Sequence, residues 1–274
     1  MKHICIIIAR GGSKRLYRKN VKMFCGKPLV EWSIIQCKTS HLIYDTYLST
    51  DDDEIAEIGE RNGIKVIRRP DWPDADLLAA NAVIAHAIQE IEKQGVEWDT
   101  HNCVLPTAPL RLPGDIDTSV MKYAELKRAY PEMDRLICMV NPRETMISEK
   151  VNNYRAKVVV FDKSYGYLSE GAGAEVISTQ YYKDYNSKIR YDSEVDNKVD
   201  TPLFREAVRA GGREYSYRLC KWFQAYDIDD LDQFEFCELL MERYILKGRG
   251  EKVYWDYKKS EGDAVRRAME EIEK

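Results

Sequence analysis

Apolar residues along this chain fall into alternating short runs and helically spaced stripes. Ile4 to Ala9 is an unbroken apolar run of strand length, the pattern of a strand buried on both faces. From Pro28 to about Lys38 the spacing turns helical, with Leu29, Val30, Trp32 and Ile35 facing inward. Residues 45–49 read as a second strand, 52–62 as a short helix closed by Gly63, and 64–67 as a third strand. A longer helix is expected over 77–93. A short strand at 102–105 runs into Pro106-Thr107-Ala108-Pro109. Pro113 and Gly114 introduce a helix from Asp115 to about Lys127, and 136–140 is a further strand.

Strands and helices alternating at this spacing predict an α/β fold, a doubly wound and mostly parallel sheet with helices on both faces. Ligands of such sheets bind at the carboxyl ends of the strands. The loop after the first strand, Ser49-Thr50-Asp51, Arg68-Arg69-Pro70 and Leu105-Pro106-Thr107 all fall at that edge and predict a cleft. From about 150 the alternation weakens into a tyrosine- and charge-rich stretch, with β-like pieces at 156–161 and 175–178. This reads as a small inserted arm, at about 141–221, on a single domain of 274 residues. Residues 226–229 return to a strand-then-loop pattern. The helix expected over 231–247 offers Phe234, Leu239, Leu240 and Tyr244 to a core. The highly charged tail, about 248–274, reads as an exposed or loosely packed helix.

Composition narrows the possibilities. Hydrophobic residues make up 44% and charged residues 32%, as in a soluble globular enzyme. A net charge of −4 argues against nonspecific nucleic-acid binding. No apolar run nears the roughly 20 residues that span a bilayer, and the start of the chain lacks a signal-peptide pattern. Seven cysteines without a CxxC pair point to reduced thiols and a cytoplasmic setting. The four histidines show no zinc-binding spacing.

The charge is unevenly spread. Arg10, Lys14, Arg15, Arg18, Lys19, Lys22 and Lys27 follow the first strand with no acid before Glu31. An acidic chain that gathers cations at a strand end is built to hold a small polyanion, most simply a nucleoside triphosphate. The segment 10–14 lacks the third glycine of the dinucleotide fingerprint and the spacing of a P-loop. Gly11 and Gly12 would still let backbone amides approach phosphate, with Ser13 adding a hydroxyl. Far along the chain, Asp227 and Asp229 stand two apart, which in a strand turns both carboxylates to one face. Such a pair suits Mg2+, completed by phosphate oxygens and water. The other reading is a helix cap, with Asp229 or Asp230 before Leu231 and Asp232 in the first turn.

Five segments, in order, resemble one family. They are 8–16 with Lys19-Asn20, 48–51 followed by Glu54-Ile55-Ala56, Arg69-Pro70 with Asp76, 106–111, and Asp227-Ile228-Asp229. The pattern is similar to that of the acylneuraminate cytidylyltransferases (CMP-sialic acid synthetases), over 3–140 and 222–245. The resemblance implies transfer of CMP from CTP to an acidic sugar, with Mg2+ as cofactor and release of pyrophosphate. It implies catalytic roles for Arg10, Lys14, Lys19 and Asp229, a nucleotide site including Gly11, Gly12, Ser13, Asn20 and Arg69, and a metal pair of Asp227 and Asp229. Asn20 would reach the ribose. Arg69 is a base or substrate contact, or else a surface arginine. Thr107 and Arg111 are substrate contacts, or else a rigid turn and a loop anchor. A homodimer, through the arm, is implied as well.

The chain also departs from the family pattern. Leu105 stands where a glutamine is usual, Leu77-Leu78-Ala79-Ala80 where small and hydroxyl residues are usual, and Arg15 and Tyr17 where glycine and proline are usual. The family's dimer-arm segment has only Phe204-Arg205 as a counterpart. Leucine for glutamine removes a polar contact, so an acceptor other than common sialic acid is expected. Two alternatives stay open: a sugar-nucleotide-dependent glycosyltransferase, and a nucleotide-binding homologue without catalysis.

Overall fold

A computed structural model describes residues 1–70, 72, 80–140, 147–152, 155–160, 169–170, 175–179, 213–219 and 221–274. In chain order the strands are β1 (His3–Ile8), β2 (Met23–Phe24), β3 (Lys27–Pro28), β4 (Ile43–Thr50), β5 (Lys65–Arg68), β6 (Thr100–Val104), β7 (Met133–Val140), β8 (Ile147–Asn152), β9 (Arg155–Val160), β10 (Ser169–Glu170), β11 (Glu175–Ser178) and β12 (Arg213–Leu219). The helices are α1 (Leu29–Thr39), α2 (Asp53–Arg61), α3 (Ala80–Lys93), α4 (Asp115–Ala129), α5 (Leu231–Leu240), α6 (Lys252–Ser260) and α7 (Gly262–Glu273).

The central sheet runs β10-β7-β11-β6-β1-β4-β5, with β12 beside β7. β1 pairs parallel with β4 and β6, and β4 with β5, so four successive strand ends share one edge. Among the described strands of this sheet, β10 and β11 run antiparallel to their neighbours. The doubly wound, mostly parallel α/β sheet expected from the alternation is therefore present.

The apolar run of β1 serves two cores at once. Ile4 and Ile6 pack with Ile84, Ile88 and Ile91 of α3 on one face. Cys5 and Ile7 pack with Val30 and Ile34 of α1 and with Ile55 and Ile58 of α2 on the other. α1 is itself sandwiched, because Leu29, Trp32 and Ile35 join a third core built from α5, α6 and the turns around them.

Several expectations need correction. Residues 226–229 form no strand: a 3-10 turn, Trp222–Ala225, leads into an extended stretch outside the sheet. Among the described residues no strand pairs with it, and its bond from Ile228 N–H to the Thr107 carbonyl is a staple rather than part of a ladder. The helix expected over 231–247 ends as α at Leu240 and continues as a π-helical turn, Met241–Leu246. That wider turn carries Met241 and Ile245 inward, whereas Leu239 is 69% exposed. The charged tail is not loosely packed. It folds into α6 on α1 and α7 on α4, burying Val253, Tyr254, Val265 and Met269. Within the stretch read as an arm, β11 lies inside the central sheet and β12 beside β7, while β8 and β9 pair as a separate hairpin. Asp76, Leu77 to Ala79 and Phe204-Arg205 lie outside the described residues.

Candidate active site

The chain leaves β1 at Ile8 and must clear the start of α2 within a few residues. Gly11 makes this possible: a Cβ there would stand 2.3 Å from Asp52 Oδ2. The Gly11 N–H donates to Asp51 Oδ1 at 3.0 Å, so this amide braces the loop rather than facing phosphate as expected. A Cβ on Gly12 would meet nothing within 4 Å. Arg18, in the left-handed region at φ 48°, forks onto Asp52 at 2.8 and 3.1 Å and reaches Glu54 at 2.6 Å. Asp52 also caps α2 through the Ile55 N–H. The loop is thereby clamped to a helix start, and Arg18 is engaged away from any ligand.

Lys19 and Asn20 follow in a buried 3-10 turn. Asn20 Nδ2 donates to the Arg10 carbonyl at 2.9 Å, while its buried Oδ1 finds no donor among the described residues. The Lys19 ammonium donates to the Ile228 carbonyl and lies 4.0 Å from Asp229 Oδ1. Burial lowers the Lys19 pKa, against the pull of Asp227 and Asp229. Arg15 Nη2 reaches the same Asp229 oxygen at 2.8 Å. Basic loop and acidic couplet, more than 200 residues apart in sequence, thus meet directly.

Thr107 joins them from the end of β6. Its carbonyl accepts the Ile228 N–H at 2.8 Å and its hydroxyl donates to the Asp227 carboxylate. Protein atoms crowd Asp227 even though part of its surface is open. This desolvation pushes its carboxyl up, and the Thr107 bond and Lys19 oppose the rise. The cap falls on Asp230, which accepts the Gln233 N–H at 2.9 Å in a capping box and leaves the Asp229 carboxylate to the cleft.

These groups line a cleft of about 560 Å³ at the carboxyl edge of the sheet. Its basic side is Arg10, Ser13, Lys14, Arg15, Lys19 and Asn20. Thr107 and Asp229 also line it, Asp229 against Arg15 and Lys19, and the apolar part of its wall is Trp72, Ala80, Val83 and Leu105. Arg69 belongs to the cleft and is no surface arginine. Its side chain is 5% exposed, 3.3 Å from Asp51, and donates to the Ala9 carbonyl at 3.1 Å. Arg111 is the correction: it is 1% exposed and donates to Gln36 Oε1 and the Leu105 carbonyl, each at 3.0 Å. It is a loop anchor and does not line the cleft. Arg15, Asp51 and Trp72 were missed as site residues. Asp51 had a signal, since it ends a strand at the ligand edge.

The acidic couplet offers hard oxygen donors suited to Mg2+. Among the described residues no cluster of three or more His, Cys, Asp or Glu forms a full metal cage. The other ligands would be phosphate oxygens and water, as Mg2+ prefers.

A doubly wound sheet with a cation-lined cleft at its carboxyl edge, reached by Asp229, is the setting of a nucleotidyltransferase. Residues 4–253 match the family model described as Cytidylyltransferase, and the chain belongs to that family. Membership excludes the glycosyltransferase alternative. The chain is 34% identical over 177 residues to the pseudaminic acid cytidylyltransferase of Campylobacter jejuni, covering 60% of this chain and 75% of that protein. It is 30% identical over 124 residues to the CMP-N,N'-diacetyllegionaminic acid synthase of Legionella pneumophila, covering 44% and 52%. A solved CMP:2-keto-3-deoxy-manno-octonic acid synthetase complexed with CTP shares the fold at TM-score 0.61 and 16% identity, covering 89% of this chain and 100% of that one.

Proposed function

We propose that this cytidylyltransferase joins CMP, from CTP, to an acidic sugar of the pseudaminic or legionaminic type and releases pyrophosphate, with Mg2+ as cofactor. The observation that carries the reading is the meeting of the basic loop and Asp229 in one cleft, where Lys19 bridges to Ile228 and Asp229, with Asp227 two residues before and held by Thr107 just behind the lining. The names of the curated relatives supply the class of acceptor.

In this reading the triphosphate lies against Arg10, Ser13 and Lys14. The acceptor hydroxyl attacks the α-phosphorus, the bond to the β-phosphate oxygen breaks, and pyrophosphate departs. Arg10 and Lys14 offset the charge that grows on the leaving group. Lys19, partly desolvated, keeps a cation between phosphate and couplet. Asp227 and Asp229 would hold Mg2+, which when bound polarises the α-phosphate and aligns its oxygens. In this reading the Asn20 Oδ1, which has no donor among the described residues, would accept from a ribose hydroxyl.

Leu105, 36% exposed, puts an aliphatic group where the family pattern has an amide, beside Trp72 and Val83. This supports an acceptor that presents an apolar substituent at that wall. The reading extends to a cytoplasmic homodimer, supported by the family resemblance and by the free thiols of the described cysteines.

Pyrophosphate release decides the matter. The protein is assayed with each of four ribonucleoside triphosphates, with and without Mg2+, against pseudaminic, N,N'-diacetyllegionaminic and N-acetylneuraminic acids. Release requiring CTP, Mg2+ and one of the first two acids is expected. Equal turnover of N-acetylneuraminic acid sinks the acceptor assignment. No release with any combination leaves a nucleotide-binding homologue without catalysis.

A further inference from the structure

The family match stops at residue 253, one residue before a tyrosine bonded to the 105–111 loop. Tyr254, in α6, is 1% exposed. Its hydroxyl donates to the Arg111 carbonyl at 2.6 Å and accepts from Gln36 Nε2 at 3.1 Å. The same Gln36 nitrogen donates to the Pro109 carbonyl at 2.8 Å. Gln36 Oε1 and the Leu105 carbonyl take the two ends of the Arg111 guanidinium. One buried network from α1 and α6 therefore grips the 105–111 loop at both ends.

The middle of that loop is Thr107, the residue that staples Ile228 and Asp227. A second tie lies further along, where Asp115 accepts the Leu112 N–H and Gln224 Nε2, each at 2.6 Å. The acidic couplet thus rests on a loop, and the loop rests on the tail. In a dry interior such bonds reinforce one another, and removing one partner strands a carbonyl. Metal ligands tolerate only about half an ångström of displacement.

We propose that Tyr254 is a positioning residue of the active site. Its hydroxyl sets the 105–111 loop, and through Thr107 it sets the distance between Asp227 and Asp229. The highly charged C-terminal tail is then part of the catalytic apparatus. The proposal rests on the reading of the couplet as the Mg2+ site.

The test compares Tyr254→Phe with Met269→Ala, a core truncation in α7 away from the loop. Two quantities are measured on the full chain: amide hydrogen exchange over 105–112 and 226–229, and the Mg2+ concentration that half-saturates CTP turnover. Tyr254→Phe is expected to speed exchange in both segments and to raise the half-saturating Mg2+ about fivefold, the ratio worth one buried hydrogen bond. Met269→Ala is expected to lower the melting temperature at least as much and to change neither quantity. Half-saturation within twofold of wild type in Tyr254→Phe, unchanged exchange, or an equal shift in Met269→Ala overturns the proposal. A wild type that turns over CTP without Mg2+ overturns the metal reading itself and this proposal with it, a failure distinct from the others.

Discussion

The loop after β1 and the loop after β6 reach the same cleft, and both carry arginine. In the first, Arg10, Lys14 and Arg15 line open space, and Arg15 meets Asp229 with 70% of its side chain exposed. In the second, Arg111 is sealed among Gln36, Tyr254 and the Leu105 carbonyl, and among the described residues it pairs with no carboxylate. Burial lowers its pKa, since the dry surroundings disfavour its charge. The difference teaches that side-chain type does not assign the role. An arginine with solvent on one side can exchange partners for a ligand, whereas an arginine whose two ends are held by a buried amide and a backbone carbonyl is part of the scaffold.

Substitutions break this comparison in graded ways. Asp229→Asn, on the open side, is expected to cost roughly 100- to 1,000-fold in kcat, measured by pyrophosphate release. The fold should barely notice, because an exposed pair such as Arg15–Asp229 is worth under about 1 kcal/mol. Arg111→Met, on the sealed side, should act on stability instead. It strands the Leu105 carbonyl and Gln36 Oε1 and is expected to cost about 2–4 kcal/mol in urea unfolding.

A third test asks whether the β6 loop truly stands on a dry support. Burial raises the Asp115 carboxyl from 3.8 to about 6, against its bonds from Leu112 and Gln224. The folded state then holds a proton that the unfolded chain releases near pH 4. This contribution to stability is present at low pH and is lost as pH rises from about 4 to about 6. The loss amounts to at most about 3 kcal/mol. Asp115→Asn should lack that decline, so urea midpoints at pH 4, 5, 6 and 7 should converge on a flatter difference curve. Parallel curves for the two proteins would refute it. The smallest effect is expected from Leu105→Gln, which leaves the support intact and changes one cleft-facing group. It should shift the preference between acceptors by less than about tenfold with the KM for CTP unchanged, measured by competition between two acids.

The sequence was most legible where local pattern and chemistry coincided. The apolar run 4–9 predicted a strand buried on both faces, and β1 packs against α3 on one side and α1 and α2 on the other. The cations after it point to a polyanion site at the carboxyl edge; of the seven, Arg10, Lys14, Arg15 and Lys19 line the cleft there, while Arg18, Lys22 and Lys27 do not. Reading failed where a residue's partner lies far along the chain. Leu239 is expected in the helical stripe, but Phe234, Cys237, Leu240 and Met241 form the buried face and Leu239 points to solvent; the π turn at 241–246 only sets which later residues, such as Ile245, turn inward. The tail looked too charged to pack. Yet Val253, Tyr254, Val265 and Met269 supply a narrow stripe that suffices once α1 and α4 offer a surface.

By itself the amino-acid order determined the strand–helix alternation, the parallel sheet that follows from it, and the cation-rich loop at a strand end. These depend on neighbours a few residues apart, where spacing and backbone preference act directly. Only the tertiary structure decided that Lys19 reaches Ile228, that Thr107 holds Asp227, and that Tyr254 braces the loop between them. Those contacts join segments more than 100 residues apart. Their geometry is set by how three cores pack together, which no local pattern encodes.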